Sequence, residues 1–129
     1  MAQKPEARFI DKVHRALPRS VYHQGMGITA TNGTPDVYYE GRRGQLWVEY
    51  KWYDSIPFKF NLVASRKLSK LQLRWLNRCF DNNRPCAVII GSPDTYVILD
   101  EPVWDQEIDI EVWDEPFENV IRYIKETVL

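Results

Sequence analysis

The sequence has no apolar run of 18 or more residues, which excludes a transmembrane helix of ordinary length. The opening MAQKPEARFIDKV lacks the apolar segment of a secretory signal, so we expect an intracellular, cytoplasmic protein with no membrane partner. Cysteine is scarce, and we expect the only two, Cys79 and Cys86, to be reduced thiols in the core. His14 and His23 lie far from both cysteines in sequence, so no zinc-binding spacing is present.

Basic residues are missing from Asp100 to Glu118, a segment with nine acidic residues. Residues 1–99 carry 15 basic and 8 acidic side chains, and residues 100–129 carry 2 and 10, so a net charge of +7 is followed by one of −8. A basic body is a weak indication of nucleic-acid binding, and a solvated acidic segment on an otherwise neutral protein is an equal alternative. A chain of 129 residues suits one domain with one core.

Hydrophobic periodicity and turn residues predict helices and strands in the order α, β, β, β, α, β, β, α. Helices on both sides of a strand cluster are typical of a layered α/β fold. The predicted helices cover residues 5–17, 68–80 and 115–129, and the predicted strands lie near 21–23 and at 35–40, 45–53, 86–91 and 95–100.

The first predicted helix has an acid on its apolar stripe. Ile10, Val13 and Leu17 define the stripe at 100° per residue, with Phe9 at its edge, and Glu6 lies at its centre one turn before Ile10. A carboxylate in the first turn can interact favourably with the helix dipole. An acid on a buried face can also serve a site, and the pattern leaves both interpretations open.

The second predicted helix begins with LSKLQ. Ser69 is a candidate N-cap with Gln72 as its capping-box partner, and Leu68 and Leu73 form the hydrophobic staple around them.

A hairpin is predicted around the turn GRRG at residues 41–44, and it contains three unexpected charges. Because side chains alternate along a strand, Glu49 and Lys51 share a face with Trp47 and Tyr53. A symmetric turn pairs Glu40 with Gln45 and therefore Asp36 with Glu49, whereas a bulge at Gly44 would shift this register by one residue.

Two opposed carboxylates are destabilising unless a positive charge compensates them. Lys51 can offset one, and a divalent cation can offset both, since Mg²⁺ prefers carboxylate oxygens together with water and phosphate. The alternative is an exposed hairpin face with an ordinary Glu–Lys pair.

The stretch TPDVYYEGRRGQLWVEYKW, residues 34–52, resembles the signature of the PD-(D/E)XK nucleases, with Pro35-Asp36 in one strand and Glu49-Tyr50-Lys51 in the next. Within that superfamily the chain is most similar to the stand-alone virus-type replication–repair nuclease (VRR-NUC) domain, including phage Holliday-junction resolvases, because LSKLQ and the strand CAVIIG follow. The resemblance covers roughly residues 5–99. It implies a nuclease core at 5–99, and we expect a single nuclease domain over 1–129 with the acidic C-terminal extension at 100–129, which is not part of the signature, packed on that core. It also implies a restriction-endonuclease-like α/β fold, in which helices flank a central mixed β-sheet.

The resemblance implies that Asp36, Glu49 and the backbone carbonyl of Tyr50 bind Mg²⁺ or Mn²⁺. Lys51 would then position the attacking water or stabilise the developing charge on the phosphate, and sequence does not separate these roles. Glu6 would complete the acidic pocket or hold a second ion. Gln72 would contact phosphate or metal-bound water, although the capping box alone also explains this residue.

The function implied is metal-dependent, structure-selective cleavage of DNA phosphodiester bonds, with branched DNA such as Holliday junctions as substrate and a homodimer as the acting form. A flap, nick or general DNA nuclease of the same fold, and a catalytically silent DNA- or protein-binding module, are the alternatives. We expect Tyr38, Tyr50 and Trp52 to serve in core or dimer packing rather than in base stacking. The candidate phosphate contacts are Arg42, Arg43, Arg66, Lys67 and Lys70.

Overall fold

The computed structural model describes residues 3–27, 32–56, 61–63 and 67–129, with only the backbone considered for 61–63. Four helices are present in this part of the chain: α1 (Pro5–Ala16), α2 (Lys70–Asp81), α3 (Ile110–Trp113) and α4 (Phe117–Val128). The strands are β1 (Tyr22–Gly25), β2 (Val37–Gly41), β3 (Gly44–Trp52), β4 (Asn61–Val63), β5 (Cys86–Gly91), β6 (Tyr96–Leu99), β7 (Glu107–Asp109) and β8 (Asp114–Glu115).

Six strands form a mixed central sheet in the order β1-β2-β3-β5-β6-β8. The pair β3–β5 is parallel, and the chain crosses from one strand to the other through α2. The remaining neighbours are antiparallel. A second, two-stranded sheet pairs β4 with β7. The predicted α/β fold with a central mixed sheet flanked by helices is therefore confirmed.

Helices cover the central sheet on both faces, and a separate apolar cluster lies on each. On one face, α1 and α4 pack through Phe9, Val13 and Ile124 against the side chains of Val48 and Tyr50. On the other face, α2 packs through Leu76 and Cys79 against β5 and β6. The alternation predicted for β3 is confirmed, because Trp47 and Tyr53 belong to the α2 side, whereas Leu46, Val48, Tyr50 and Trp52 belong to the α1–α4 side.

The hairpin closes with the symmetric register. Glu40 pairs with Gln45 and Gly41 with Gly44, so no bulge shifts the strands. The ladder ends at Val37 opposite Val48, and Asp36 is the next residue along β2. The same register, continued by one step, sets Asp36 against Glu49.

Several predictions of local structure are corrected. Phe9 lies at the centre of the buried face of α1 rather than at its edge, while Ile10 is only partly buried. Between the strand predicted to end at residue 53 and the helix predicted from residue 68 the chain forms β4, and the acidic segment contains β7, α3 and β8. These elements have two to four residues each, too few for a periodic pattern to form. Cys79 and Cys86 are free and buried, as predicted.

Two glycines permit close approaches that position the elements around the hairpin. A Cβ at Gly91 would lie 2.6 Å from the Phe9 ring, so α1 packs directly on the backbone of β5. Gly33 has φ +81°, and a Cβ there would lie 2.2 Å from the Leu71 carbonyl oxygen. Only glycine permits this contact at low cost, and it holds the loop before Asp36 against the first turn of α2.

The residues after Asp100 contribute to both apolar clusters. On the α2 side, Trp104 is fully buried and its indole N–H donates to the Asn77 side chain at 2.9 Å. Val120, Ile124 and Val128 are buried on the other side.

Among the described residues, none of the helices has both the length and the hydrophobicity that a membrane-spanning helix needs.

Removal of residues 100–129 is expected to abolish stable folding. The segment supplies six buried apolar side chains, each worth about 2 kcal/mol of burial, and the sum is comparable to the whole stability of an ordinary domain. Circular dichroism and gel filtration of the truncated chain test this expectation. A soluble, cooperatively folding and fully active truncation would contradict it and make the segment a dispensable tail. The buried residues concerned are Trp104, Ile108, Ile110, Val120, Ile124 and Val128.

Candidate active site

Glu49 is the most deeply buried charged residue of the described chain, with 2% of its surface exposed. Its Oε2 atom lies 3.0 Å from the ammonium of Lys51 and accepts a hydrogen bond from the Gln72 amide at 2.9 Å. Its Oε1 atom is buried and has no hydrogen-bond partner among the described residues. A buried carboxylate oxygen normally has a partner, and a proton or a cation shared between Glu49 and Asp36 would supply one.

Asp36 is held at the end of β2 through both its side chain and its backbone. The backbone N–H of Tyr50 donates to Asp36 Oδ2 at 2.9 Å, and the Asp36 carbonyl accepts from Met26 N–H at 2.8 Å. Asp36 is therefore fixed by the strand that carries Glu49 and by the end of β1. The hairpin register and the electrostatic interaction of Asp36 with Glu49 bring the two carboxylates together, with Lys51 beside Glu49.

The carbonyl of Tyr50 points toward the same side as Asp36. The N–H groups of Trp47 and Tyr53 donate to Pro85 and Gly91 on the β5 side of β3. Because backbone groups of alternate strand residues point to opposite neighbours, the N–H and C=O of Tyr50 point to the β2 side. The β2 ladder ends at Val37, so this carbonyl lies beyond the last strand pair and beside Asp36. A ligand set of two carboxylates and one carbonyl is thus geometrically consistent.

Burial raises the pKa values of both carboxylic acids. The pKa of Glu49 is raised to about 7, first by burial and then by the charge of Asp36, and Lys51 acts in the opposite direction. Burial also raises the pKa of Asp36, against the Tyr50 N–H and Lys51, which lower it. The two acids titrate as a pair. A divalent cation would remove the repulsion and stabilise both ionised forms.

Glu6 approaches this pair from the first turn of α1 but does not join it. Its pKa is raised by burial and by the charge of Asp36, which places its half-buried carboxyl within electrostatic range. Among the described residues, however, no three side chains of His, Cys, Asp and Glu are close enough together to hold a metal. The described ligand set is a pair of carboxylates, and the predicted role of Glu6 stays a prediction.

Gln72 forms the predicted capping box and also contacts Glu49, whereas its predicted contact with phosphate or metal-bound water stays a prediction. Its Oε1 accepts from Ser69 N–H at 2.8 Å while the Ser69 hydroxyl accepts from Gln72 N–H at 3.1 Å, which completes the predicted capping box. Its Nε2 donates to Glu49 Oε2 at the same time. The amide therefore links the start of α2 to the buried carboxylate. In this arrangement it contacts the carboxylate and acts as a positioning residue.

The predicted phosphate-contacting residues are distributed over different parts of the structure. Lys67 lies near the site, where its ammonium donates to the Trp52 carbonyl at 2.9 Å and lies 3.9 Å from the centre of the Tyr53 ring. Lys70 is exposed in the first turn of α2. Arg42 and Arg43 lie at the turn, at the opposite end of the hairpin and about 20 Å along the strand from Asp36. Arg66 lies outside the described residues.

Sequence reasoning missed two further basic residues and two aromatic ones on the α2 side. Arg74 and Arg78 follow Lys70 at intervals of four residues on the exposed side of α2, a spacing that could have indicated a row of cations. Trp47 and Trp75 pack together with ring centres 5.1 Å apart. Tyr38 packs on Trp47 at 4.9 Å, whereas Tyr50 and Trp52 lie on the opposite face.

No protein-family model matches the chain, and no curated protein matches its sequence. Its fold is similar to that of Archaeoglobus fulgidus Hjc, a Holliday junction resolvase from an archaeal hyperthermophile, with a TM-score of 0.56. The match covers 92% of this chain and 97% of Hjc at 14% sequence identity. The chain thus has a resolvase-like α/β fold, and at this identity the likeness concerns the fold alone.

Replacement of Gln72 by Met is expected to alter Glu49 as well as the helix. Loss of the cap should cost about 1 kcal/mol of stability, as Ser69→Ala should also do. Only Gln72→Met removes the amide donor from Glu49 and so should raise the pKa of this carboxyl. Urea denaturation and a ¹³C NMR titration of the Glu49 carboxyl measure the two effects. Equal Glu49 titrations in both variants would reduce Gln72 to a cap.

Without divalent metal, the stability contribution of Glu49 is expected to fall as the pH rises. Since the pKa of Glu49 is raised from an ordinary 4.5 to about 7, the folded state favours the protonated form, and this contribution is complete below 4.5 and lost as the pH passes 7. The free energy of unfolding of Glu49→Gln, relative to that of wild type, should therefore increase from pH 5 to pH 8, by about 3 kcal/mol at most. Urea denaturation in EDTA at both pH values measures the difference, and a pH-independent difference would contradict this expectation.

Proposed function

We propose that this protein is a metal-dependent DNA endonuclease that hydrolyses phosphodiester bonds in branched DNA such as Holliday junctions. The observation that supports this most directly is the pair of partly buried Asp36 and buried Glu49, with Lys51 beside it and with no hydrogen-bond partner for Glu49 Oε1 among the described residues. A resolvase-like fold around the pair adds support. The resemblance of the Pro-Asp and Glu-X-Lys residues to the nuclease signature then suggests the reaction.

The residues present fit a divalent cation. Asp36, Glu49 and the Tyr50 carbonyl offer the hard oxygen ligands that Mg²⁺ and Mn²⁺ prefer, and Glu49 Oε1 has no hydrogen-bond partner in the part of the chain that the structure describes. When bound, the ion would polarise a phosphodiester oxygen and lower the pKa of a bound water. Tyr50 N–H and Gln72 keep the two carboxylates in place, so that little reorganisation is needed when substrate binds.

Lys51 is the cation of the site that can act on the reacting groups. One N–H of its ammonium can donate to Glu49 Oε2, and the other N–H groups can donate to a phosphate oxygen or to the attacking water. Either contact would stabilise negative charge that develops in the transition state. Lys67 adds positive charge nearby, and its charge lowers the pKa of Glu6.

Branched DNA is proposed as substrate because a resolvase has this fold and because the residue pattern resembles that of small resolvases. A four-way junction has two equivalent strands to cut, so a two-fold homodimer with two sites is the matching assembly. The proposal includes this homodimer and an intracellular place of action.

Asp36→Asn and Lys51→Ala are expected to lower cleavage by on the order of 100-fold or more in Mg²⁺, because each removes a charge that the transition state needs. The measurement uses labelled four-way junction, flap, nicked and linear substrates. Asp94→Asn is the matched control, since this exposed acid lies in the turn between β5 and β6. Thermal denaturation of each variant checks that the fold is retained.

Each outcome of this panel separates one alternative. Wild-type activity in Asp36→Asn and Lys51→Ala would show that the site is elsewhere. Equal cutting of flaps, nicks and linear duplex would identify a more general nuclease. Binding of DNA without cleavage in Mg²⁺ or Mn²⁺ would identify a catalytically silent module.

A further inference from the structure

Three aromatic rings adjoin the carboxylate pair on the α2 side of the sheet. Trp47 lies two residues before Glu49 on the same face of β3, about 7 Å away along the strand. Tyr38 pairs with Trp47 across the hairpin and packs on it at 4.9 Å. Trp75 of α2 also packs on Trp47, with ring centres 5.1 Å apart. All three side chains are partly exposed, so they form an aromatic surface that begins beside Glu49.

Positive charge accompanies this surface. The guanidinium of Arg78 lies 5.9 Å from the centre of the Trp75 ring, and Arg74 is exposed one turn earlier in the same helix. Within the residues that the structure describes, neither arginine forms a salt bridge. Their charges are therefore available to an anionic ligand that lies across the aromatic surface.

The aromatic surface continues into a cavity of about 730 Å³ at the far end of the hairpin. Trp47 lines one side of the cavity, and Arg43 and Arg84 line it as well. Arg43, at the turn, is distant from Glu49, but it stands at the end of a continuous path. That path runs from the carboxylate pair over Tyr38, Trp47 and Trp75 to Arg43 and Arg84. Its length along β3, measured from Glu49 to Gln45, is about 13 Å.

We infer that this path binds an unpaired stretch of DNA next to the phosphodiester bond that is cut, an inference that rests on the proposed function. Partly exposed aromatic rings that alternate with cations are the features by which proteins bind single strands, because bases stack on the rings and phosphates pair with the cations. A duplex hides the faces of its bases, whereas a branch point or a flap leaves bases unstacked beside the cut. The path therefore provides a physical basis for preference for branched over linear DNA.

A DNA strand suits this surface better than a second copy of the chain. In a two-fold interface this surface would face itself, so the exposed arginines that border the three rings would repel one another, whereas they attract the phosphates of a DNA strand. The surface also continues directly into the carboxylate pair, where a second copy would block access to the reacting groups.

The experiment measures binding of a fluorescein-labelled oligothymidine and of a blunt duplex of equal length, by anisotropy in EDTA. Tyr38→Leu removes a ring from the path, and Tyr38→Phe keeps it. The double variant Arg43→Ala/Arg84→Ala removes the cations of the cavity. Phe80→Leu and Arg19→Ala are controls, because Phe80 is an exposed ring and Arg19 an exposed cation outside the path.

We expect Tyr38→Leu and the double arginine variant to bind the oligothymidine about tenfold more weakly than wild type. Tyr38→Phe and both controls should bind it as wild type does, and Tyr38→Leu should leave duplex binding within twofold. Equal affinities in Tyr38→Leu and wild type would overturn the inference. If Tyr38→Leu lost as much affinity for the duplex as for the single strand, the inference would also be overturned, because the contact would then be general to both kinds of DNA.

Two further outcomes concern self-association and the proposed function. If Tyr38→Leu changes the sedimentation coefficient but not DNA affinity, the surface is an interface between copies and the inference fails. Because binding is measured without metal, it is independent of cleavage. A wild type that binds the single strand as expected but cuts no branched DNA in Mg²⁺ contradicts the proposed function and not the path. A wild type that cuts, with Tyr38→Leu equal to it in binding and cutting, contradicts the path alone.

Discussion

The repulsion between two carboxylates at the end of a strand pair is the constraint on which this structure depends. Asp36 and Glu49 meet where the hairpin ladder stops, and burial makes their ionised forms still less favourable. The chain tolerates them because Lys51, Tyr50 N–H and the Gln72 amide each stabilise one carboxylate oxygen. Within the described ranges, the buried Oε1 atom of Glu49 has no hydrogen-bond partner. A fold selected for stability alone would have no reason to bury this arrangement.

Several separate elements converge on this pair, and each is fixed by a contact of its own. Gly33 lets the loop before Asp36 pack against the backbone of α2, and the same turn of α2 supplies Gln72. The capping box therefore has a consequence beyond helix stability, since the residue that caps α2 also orients a buried acid. Helix formation and assembly of the site become parts of one cooperative event.

Much of this arrangement follows from local sequence. The period of two along β3 predicts which side chains share a face with Glu49, and the symmetric turn predicts the register that sets Asp36 against it. The capping box is equally local, and Ser69 and Gln72 form it as predicted. Local patterns do not predict that the Gln72 amide has a second contact, because that contact joins residues 23 positions apart.

Other features depend on tertiary packing and are not available from sequence patterns. The pairing of β4 with β7 joins two three-residue strands that lie far apart in the chain. The burial of Phe9 exceeds what its position on a helical wheel suggests, because Gly91 leaves room for the ring on β5. Tyr38 lies on the opposite face of the sheet from Tyr50 and Trp52, and this follows from the alternation of side chains along paired strands. The exposed surface beside Trp47, however, depends on where α2 packs.

The contact between Phe9 and Gly91 also affects how variants of this protein would be interpreted. Any side chain at position 91 must displace the ring of Phe9, and with it the helix that carries Glu6 toward the carboxylate pair. A survey of inactive variants would then identify position 91 together with the ionisable residues, although a glycine has no side chain that could take part in chemistry. In this fold, the positions that are sensitive to substitution therefore include residues that only hold the site in place.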